Sequence, residues 1–403
     1  MTYDVDRLRA RIPALNSGVS FFDGPGGTQT PDTVAAAIAG ALTAGMSNRG
    51  RVTEAERNAD DVTVAARQAA ADLVNADPRG VVFGRSATSL TFEVARTLAQ
   101  GWGPGDEIIV TRLDHDANVR PWVTAAERAG ATVRWASFDR ATGGLDPEAV
   151  TSLVNESTRL VAVTGASNIL GTRPDIAAIS TVVHDGDALL YVDGVHLTAH
   201  APIDMRAMGA DFFVCSPYKF LGPHNALLAA SPALLETMHP DKLKPSTEDV
   251  PERFELGTMQ YELLAGVTAA IDMLADLVPG DEATMSRRAR IVRSMVAIEE
   301  YEDGLHARMR AGLESLAGIE LFSHAPLRTP TELFRFAGVD SQDVYRGLAG
   351  LGVNAPAGSF YAIEAAEWLG LGKEGAVRAG LAPYTSAADV DRLINGLAEV
   401  TSR

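Results

Sequence analysis

The chain has 403 residues, of which 46% are hydrophobic and 22% charged, and its formal net charge is −17. This length predicts two or three core units, and the acidic balance argues against nucleic acid or an anionic membrane as a partner. The single cysteine, Cys215, excludes an intrachain disulfide framework and fits a reducing cytoplasm. No apolar run approaches the ~18 residues of a membrane span, and the N-terminal segment lacks the apolar core of a secretory signal.

The first two thirds of the chain alternate helical segments with short apolar runs. The stretch "TPDTVAAAIAGALTAG" predicts a helix with Thr30 as N-cap and Pro31 at the first helical position. A longer helix follows through "EAERNADDVTVAARQAAADLVN". The apolar runs that come next lie at residues 81–83, 107–110, 132–136, 159–164, 188–193, 211–214 and 226–230. Runs without polar alternation are typical of strands buried on both faces of a mainly parallel sheet, so the layered α/β class is favoured.

The pattern changes after about residue 265. A charged helical segment at 286–316 is followed by the strand candidates "IELF" and "TELFRFAG" and by a closing helix, "SAADVDRLINGLAEV". We therefore predict two domains and one terminal extension. These are a large sheet domain over residues 15–285, a small C-terminal α+β domain over residues 286–403, and residues 1–14, which pack with the small domain.

Chemically informative side chains directly follow the predicted strands. In open parallel sheets, ligands bind beyond the carboxyl ends of the strands. The segments found there are "GRSATS", "TRLDHDAN", "GASNILGT", "DGVH" and "CSPYK". Together they supply a hydroxyl-rich turn, a histidine, an asparagine, an aspartate and a lysine, which is a set suited to an anionic aromatic cofactor.

Two of these segments suggest how such a cofactor is held. Ser86 and Thr88 open a predicted helix, whose N-terminus attracts phosphate through free N–H groups and the macrodipole. Asp193 ends an apolar strand, where an unpaired carboxylate is costly to bury. A protonated pyridine nitrogen would pair with it and remain a strong electron sink. Taken singly, Ser86 also fits an ordinary helix N-cap, and Asp193 also fits a carboxylate that caps a turn at a strand end.

The remaining segments supply the reactive groups. Lys219 lies one crossover after Asp193 and, if desolvated, could form a Schiff base; on its own it also fits a surface loop charge. His115 could stack on a cofactor ring, and Asn168 could donate a hydrogen bond to a phenolic oxygen. The combination therefore predicts a pyridoxal-type site.

The stretches "LDHDANVRPW", "ASNILGT", "YVDGVH" and "CSPYKFLGP", in this order, resemble the class V aminotransferases and, within that superfamily, the cysteine desulfurase-like proteins. The resemblance extends from "FFDGPGGTQTP" to the last helix. It implies pyridoxal 5′-phosphate (PLP) as cofactor and the fold type I architecture of PLP-dependent transferases, with a large domain whose mainly parallel sheet is sandwiched by helices. It also implies an amino acid substrate and a homodimer with active sites at the subunit interface.

The resemblance assigns roles residue by residue. It makes Lys219, His115 and Asp193 catalytic. The cofactor-binding residues that it implies are Ala87, Thr88, His115, Asn168, Asp193, His196, Ser216, Tyr218, Lys219 and Thr258. Of these, Thr258 would reach the phosphate held by a second subunit. The substrate-binding residues that it implies are Arg378, Gly26, Ser359 and Tyr361, with Arg378 clamping the substrate carboxylate. No metal site is predicted.

The chain departs from the desulfurase pattern in three places. His196 stands where a glutamine is common, and Tyr218 stands where desulfurases often have histidine. Desulfurases also carry a nucleophilic cysteine on a loop before the final strand, where this chain has "GVNAPAGSFYAIEAAEWLG". Cys215 ends a core strand instead, and we expect it to be an inert apolar side chain.

The sequence was compared with three functional classes: a PLP-dependent enzyme, a non-catalytic PLP-binding protein and a nucleotide-dependent dehydrogenase. We favour a PLP-dependent β-elimination of the C–S lyase kind, with an amino acid epimerase or aminotransferase as the alternative. A non-catalytic PLP-binding protein is a second alternative, although it would not need the carboxylate clamp. A nucleotide-dependent dehydrogenase is disfavoured because the glycine cluster "DGPGGTQTP" lacks the G-x-G-x-x-G spacing.

Overall fold

The structure, a computed structural model, describes residues 3–280 and 284–402. The strands, in chain order, are β1 (Ser20–Phe21), β2 (Val81–Gly84), β3 (Glu107–Thr111), β4 (Thr132–Ala136), β5 (Thr158–Thr164), β6 (Leu189–Asp193), β7 (Phe212–Cys215), β8 (Ala226–Ala230), β9 (Ile319–Leu321), β10 (Thr331–Phe336), β11 (Val353–Asn354), β12 (Ala357–Gly358) and β13 (Ala376–Gly380). The helices are α1 (Val5–Arg9), α2 (Asp32–Thr43), α3 (Glu54–Val74), α4 (Ala87–Leu98), α5 (Arg120–Ala129), α6 (Pro147–Thr151), α7 (Ile176–Asp185), α8 (Pro232–Thr237), α9 (Tyr261–Ala275), α10 (Arg287–Glu314), α11 (Ser341–Gly350), α12 (Ile363–Leu369) and α13 (Ala387–Thr401).

A seven-stranded sheet in the order β2-β8-β7-β6-β5-β3-β4 forms the large domain. The strands from β4 to β7 pair in parallel, whereas β8 is antiparallel to both of its neighbours. Strand β2 therefore runs in the same direction as β3 to β7, and the carboxyl ends of these six strands share one edge. The predicted α/β class with a mainly parallel sheet is confirmed.

Both faces of this sheet are buried. Along β5, Leu160 and Ala162 belong to a core that includes residues of α4 and α5, while Val161 and Val163 belong to the opposite core with α3, α7 and α9. Because side chains alternate between the faces of a strand, a strand covered on both sides needs apolar residues at every position. This is why the sequences of the inner strands lack polar alternation, whereas the edge strand β4 carries Thr132 and Arg134 at alternate, more exposed positions.

The C-terminal part contains a four-stranded antiparallel sheet in the order β12-β13-β10-β9. Helices α10, α11 and α13 pack with it around a separate apolar core. The N-terminal segment joins this part of the molecule, since Tyr3 Oη donates to the Pro383 carbonyl at 2.6 Å. Strand β1 pairs in parallel with β11. The N-terminal segment that packs with the C-terminal part therefore reaches at least residue 21, past the predicted boundary at residue 14.

The predicted start of the first long helix needs a correction. Pro31, not Thr30, is the N-cap of α2, with extended backbone angles of φ −67° and ψ 152°. The Asp32 N–H donates to the Arg11 carbonyl at 2.8 Å, and the Asp32 carboxylate accepts from Arg11 Nε at 3.0 Å. These tertiary contacts fix the first helical turn without an N-cap side chain.

Helix length and hydropathy bear on membrane association. Within residues 3–280 and 284–402, none of the helices combines the length and the apolar character required to span a bilayer.

Candidate active site

Lys219 lies at the end of a short 3₁₀ turn, Pro217–Lys219, that directly follows β7. Its side chain is 8% exposed, and its Nζ atom contacts the carbonyl oxygen of Pro25. Burial and the nearby charge of Arg378 lower the pKa of Lys219 to about 7, against the opposing effects of Asp23 and Asp193. At neutral pH a large fraction of this amine is therefore unprotonated and able to act as a nucleophile or a base.

Asp193 is the last residue of β6, the neighbour of β7 in the sheet, and it pairs in register with Val214. Its Oδ1 atom accepts a hydrogen bond from the Val195 N–H at 2.9 Å. Burial raises the pKa of Asp193 to about 6, while this hydrogen bond and Lys219 act in the opposite direction. A buried carboxylate of this kind is stabilised by a cationic partner such as a protonated ring nitrogen.

His115 follows β3 and caps the short turn Asp116–Asn118, because its Nδ1 atom accepts from the Ala117 N–H at 3.0 Å. This bond fixes the ring proton on Nε2 in the neutral form. Burial, with smaller contributions from Lys219 and Arg378, lowers the pKa of His115 to about 4. The imidazole is therefore neutral at pH 7 and presents a flat, uncharged face.

A buried polar network lies directly beside His115 in the chain, and sequence analysis did not identify it. Asp114 contacts the hydroxyl of Thr111 and accepts from Asn118 Nδ2 at 2.7 Å, while Trp122 Nε1 donates to Asn118 Oδ1 at 3.0 Å. Burial raises the pKa of Asp114 to about 8. Asp114 lies within the quoted "LDHDAN" segment, but only the fold shows that its side chain turns away from the cavity into the helix α5 side of the sheet.

Two buried polar side chains next to Lys219 have an atom without a partner among the described residues. Asn168 donates from Nδ2 to the Phe360 carbonyl at 2.9 Å, and its Oδ1 makes no hydrogen bond. His196 contacts the hydroxyls of Thr329 and Thr331 through Nε2, at 2.9 and 3.2 Å, and its Nδ1 makes none. Burial holds the pKa of His196 well below its usual range. Such atoms fit a site that offers hydrogen bonds to a bound group.

These residues surround an inner cavity of about 80 Å³. The predicted cofactor-binding residues that line it are Ala87, Thr88, His115, Asn168, Asp193, His196, Ser216, Tyr218 and Lys219. Ser86 caps helix α4 by accepting from the Ser89 N–H at 3.1 Å, and it lines the cavity together with Ala87 and Thr88 of the first helical turn. A helix N-terminus with adjacent hydroxyls is a favourable environment for a phosphate.

A second, outer cavity of about 620 Å³ shares Lys219 and His115 with the inner one. The residues that line only the outer cavity are Pro25, Gly26, Phe92, Asp116, Arg120, Phe360, Tyr361 and Arg378. Three of the predicted substrate-binding residues, Gly26, Tyr361 and Arg378, are among them. The outer cavity therefore has the size and the polar lining for a small amino acid beside the lysine.

Arg378 lies in the middle of β13 and is buried. Its Nη1 atom donates to the Asn168 carbonyl at 3.0 Å, and its Nη2 atom contacts the carboxylate of Asp23. The Phe360 ring centroid lies 3.9 Å from the guanidinium carbon. The contacts of Arg378 with Asp23 and Phe360 were not predicted from the sequence, although Asp23 lies in the quoted segment "FFDGPGGTQTP" and Phe360 in the quoted segment "GVNAPAGSFYAIEAAEWLG". A carboxylate contact across 355 positions leaves no local pattern.

Two predicted residues do not line either cavity. Ser359 directs its carbonyl oxygen to the Ala362 N–H at 2.9 Å. Thr258 is exposed and donates to Asn48 Oδ1 at 3.5 Å, away from Lys219 of its own chain. Cys215, the only cysteine of the sequence, is fully buried, and burial raises the pKa of its thiol.

The sequence profile described as aminotransferase class-V matches residues 20–393. The chain belongs to the class V aminotransferase family. It is 37% identical to MT3887 of Mycobacterium tuberculosis, covering 99% of this chain and 100% of that protein. A cysteine desulfurase of Klebsiella pneumoniae is 31% identical, with 99% of both chains covered. The cysteine desulfurase CsdA of Escherichia coli superposes with a TM-score of 0.88 at 28% identity, covering 100% of this chain and 99% of that one.

Class V aminotransferases use PLP, so the predicted cofactor and the expectation of a PLP-dependent enzyme of the lyase or transferase kind are confirmed. The residues of the inner cavity fit this group. Asp193 matches its ring nitrogen, the unpartnered Nδ1 atom of His196 matches a polar ring substituent, and the helix α4 N-terminus matches its phosphate. Asn168 Nδ2, the group predicted to donate to the phenolic oxygen, donates to the Phe360 carbonyl in this structure, and the acceptor Oδ1 is the Asn168 atom without a partner among the described residues. The individual residue roles remain predictions.

Proposed function

We propose that this protein catalyses β-elimination on an amino acid whose β-carbon carries a sulfur leaving group. The observation that supports the proposal is a cavity lined by a reactive lysine and an arginine but by no thiol. Lys219 and Arg378 line one cavity, whereas the chain's only cysteine is buried at the end of β7. This cavity offers groups for binding and proton transfer but no group that accepts sulfur.

The chain's own residues supply the groups that orient the substrate and accept its proton. Arg378 would bind the α-carboxylate, and the amine of Lys219 would accept the proton from Cα. When bound, PLP supplies the electron sink for the negative charge at Cα. The electron pair of the Cα–H bond then forms a Cα=Cβ double bond, and the sulfur leaves with the pair of the Cβ–S bond. Water converts the released enamine into a 2-oxo acid and ammonia.

The turn at Phe360 and Tyr361 supports elimination rather than sulfur transfer. Its two aromatic residues both adopt left-handed backbone angles, with φ of 54° and 56°, and their carbonyls accept from Asn168 Nδ2 and from the Asp116 N–H at 2.9 and 2.7 Å. These bonds hold the turn over the outer cavity. The turn thus narrows the cavity and reduces access of water, without offering a nucleophile to the substrate sulfur.

Product analysis with β-substituted amino acids tests the proposal. The PLP-loaded protein would be incubated with S-methyl-L-cysteine, O-acetyl-L-serine and L-cysteine, and the 2-oxo acid and ammonia measured by mass spectrometry and an enzymatic assay. We expect equal amounts of pyruvate and ammonia, with no product from the Lys219→Ala variant. A D-amino acid without pyruvate would indicate an epimerase. A new amino acid formed only with an added 2-oxo acid would indicate an aminotransferase.

We also propose a homodimer whose second subunit is approached by Thr258. In support, Thr258 lies in an exposed turn beside Asn48, and the apolar side chains of Val52 and Leu256 are exposed nearby in sequence. Light scattering would give the mass of a dimer, and an active monomer would contradict this role for Thr258. A cytoplasmic location is proposed as well, because a chain with one cysteine gains nothing from an oxidising compartment.

A further inference from the structure

The substrate clamp proposed above already holds an anion that belongs to the chain. Arg378 Nη2 contacts Asp23 Oδ1, with the arginine side chain 3% and the aspartate side chain 34% exposed. Among the described residues, the guanidinium also contacts the Asn168 carbonyl through Nη1 and the Phe360 ring on one face. The same group that would bind a substrate carboxylate is thus paired with an internal carboxylate.

The backbone around Asp23 is shaped for this contact. The Asp23 carbonyl accepts from the N–H groups of Gly26 and Gly27, at 2.8 and 3.0 Å, and so closes a tight turn. A β-carbon at Gly26 would collide with the Asp23 carboxylate, so glycine at this position makes the room that the carboxylate needs. The Phe22 carbonyl accepts from the Gly380 N–H at 2.8 Å, which fixes the turn to β13, the strand of Arg378.

Arg378 is buried and Asp23 is partly exposed, and this difference suits the replacement of Asp23 by another carboxylate. Burial lowers the pKa of Arg378, and the pairing with Asp23 opposes this effect. An unpaired charge at this depth would be costly, so an anion must accompany the arginine at all times. Asp23, in contrast, is partly exposed to solvent and could be rehydrated when another carboxylate takes its place. The exchange replaces one ion pair by another and leaves no buried charge alone.

We infer that Asp23 is a specificity-determining residue that competes with the substrate carboxylate for Arg378. This inference rests on the proposed function, because it takes Arg378 as the carboxylate-binding group. It means that the affinity for an amino acid is set by the difference between two carboxylate–arginine pairs. A substrate that presents both carboxylate oxygens to the guanidinium gains the bidentate geometry, whereas an amine without a carboxylate leaves the Asp23 pair intact.

The inference is tested with two carbonyl reagents that differ by a carboxylate alone. Aminooxyacetate and O-ethylhydroxylamine carry the same nucleophile, and both discharge the yellow colour of a PLP-loaded protein. The ratio of their second-order rate constants measures what the carboxylate contributes at the site. We expect this ratio to rise about tenfold in Asp23→Asn, since the internal competitor has lost its charge, and to fall close to one in Arg378→Gln.

Asp116→Asn is the matched control. Asp116 lines the same cavity and pairs with Arg120 at 3.0 Å, so its substitution removes the same charge without changing the contact to Arg378. We expect the ratio in this variant to change less than about twofold, because a partly exposed pair is screened by water. Asp23→Ser replaces Asp23→Asn where the latter does not accumulate as a folded, coloured protein.

The outcomes separate this inference from the proposed function. An unchanged or lower ratio in Asp23→Asn would show that Asp23 orients Arg378 rather than competing for it. An equal rise in Asp116→Asn would show that loss of any negative charge in the cavity has the same effect. Either result overturns the inference even if elimination products are found. A wild-type ratio that Arg378→Gln leaves unaltered would instead refute Arg378 as the carboxylate clamp, and with it the basis of both proposals.

Discussion

The ring of Tyr361 stacks on the ring of His115, with centroids 5.7 Å apart and planes inclined by 26°. His115 is partly buried and lines both cavities, whereas Tyr361 is 74% exposed and lines the outer one. The two residues are separated by almost 250 positions in the chain and are brought together by the turn before α12. If the outer cavity holds the substrate as proposed, this contact places an aromatic side chain beside the leaving group.

Replacement of Tyr361 by alanine should therefore change selectivity more than stability. We expect kcat/KM for S-benzyl-L-cysteine, relative to S-methyl-L-cysteine, to increase about tenfold, because the larger leaving group gains the space of the phenol ring. The melting temperature should stay nearly constant, since the side chain is mostly exposed. Leu327→Ala, which truncates another exposed side chain outside this cavity, is the control. Equal selectivity in both variants and the wild type would remove Tyr361 from the substrate pocket.

The pH dependence of cofactor uptake should report the pKa of Lys219. With a pKa of about 7, the amine is protonated below that pH and unreactive, and it becomes neutral above it. The rate at which cofactor-free protein turns yellow with added PLP should rise through about pH 7 and then level off. Free Nα-acetyl-lysine, with an ordinary pKa of about 10.4, provides the reference in the same buffers. A protein profile that keeps rising in parallel with the reference would contradict the perturbed pKa.

The lowered pKa of Lys219 also predicts that this residue makes the stability of the folded protein depend on pH. In the unfolded chain the amine stays protonated up to about pH 10.4, whereas in the folded cofactor-free protein it loses its proton at about pH 7. The unfolded state therefore binds more protons between these values, so this group makes the free energy of unfolding rise with pH over that window. Lys219→Met, with a side chain of similar length, should reduce the slope of stability against pH between 7 and 10. An unaltered slope would exclude this contribution.

Substitution of Asp193 by alanine should lower turnover far more than it affects folding. The carboxylate is expected to hold the cofactor ring nitrogen protonated, so its removal should reduce kcat by at least about a hundredfold. It should also weaken PLP binding by about 1.5–3 kcal/mol, as expected for a lost charge-assisted hydrogen bond. Turnover is measured at saturating PLP, and PLP affinity by absorbance titration. Asp193→Glu keeps the charge and serves as comparison, and near-normal kcat in the alanine variant would show that the residue is wrongly assigned.

Cys215→Ser should retain catalysis with the true substrate. The thiol is buried and its pKa is raised, so it stays protonated and does not reach the cavity as a nucleophile. We expect loss of about 1–2 kcal/mol in the free energy of unfolding from the buried hydroxyl, with Cys215→Ala as the control for packing alone. Mass spectrometry of the wild-type protein after incubation with L-cysteine should detect no added sulfur. A persulfide on Cys215, with activity lost in both variants, would restore the desulfurase interpretation.

Much of the large domain was determined by local sequence. The runs at 132–136 and 226–230 match β4 and β8 to the residue. Strand β8 is buried at every position, as expected for a strand covered on both faces, whereas β4 lies at the edge of the sheet and is partly exposed. The ends of these strands also pointed to Asp193, Asn168 and Lys219, since parallel strands deliver the residues that follow them to one edge. Neither the reversed direction of β8 nor the start of α2 could be inferred, because both depend on contacts with distant parts of the chain.

The sequence by itself thus determined the layered fold, the edge of the sheet where the site lies and the residue types that the chain offers there. Only the tertiary structure decided which charges are paired at that edge. Asp23 meets Arg378, and the Phe360 turn covers the guanidinium, because β13 and the N-terminal turn pack together from opposite ends of the chain. The lowered pKa of Lys219 likewise results from its burial among these residues. Burial arises from the packing of distant segments, and no local stretch of sequence determines that packing.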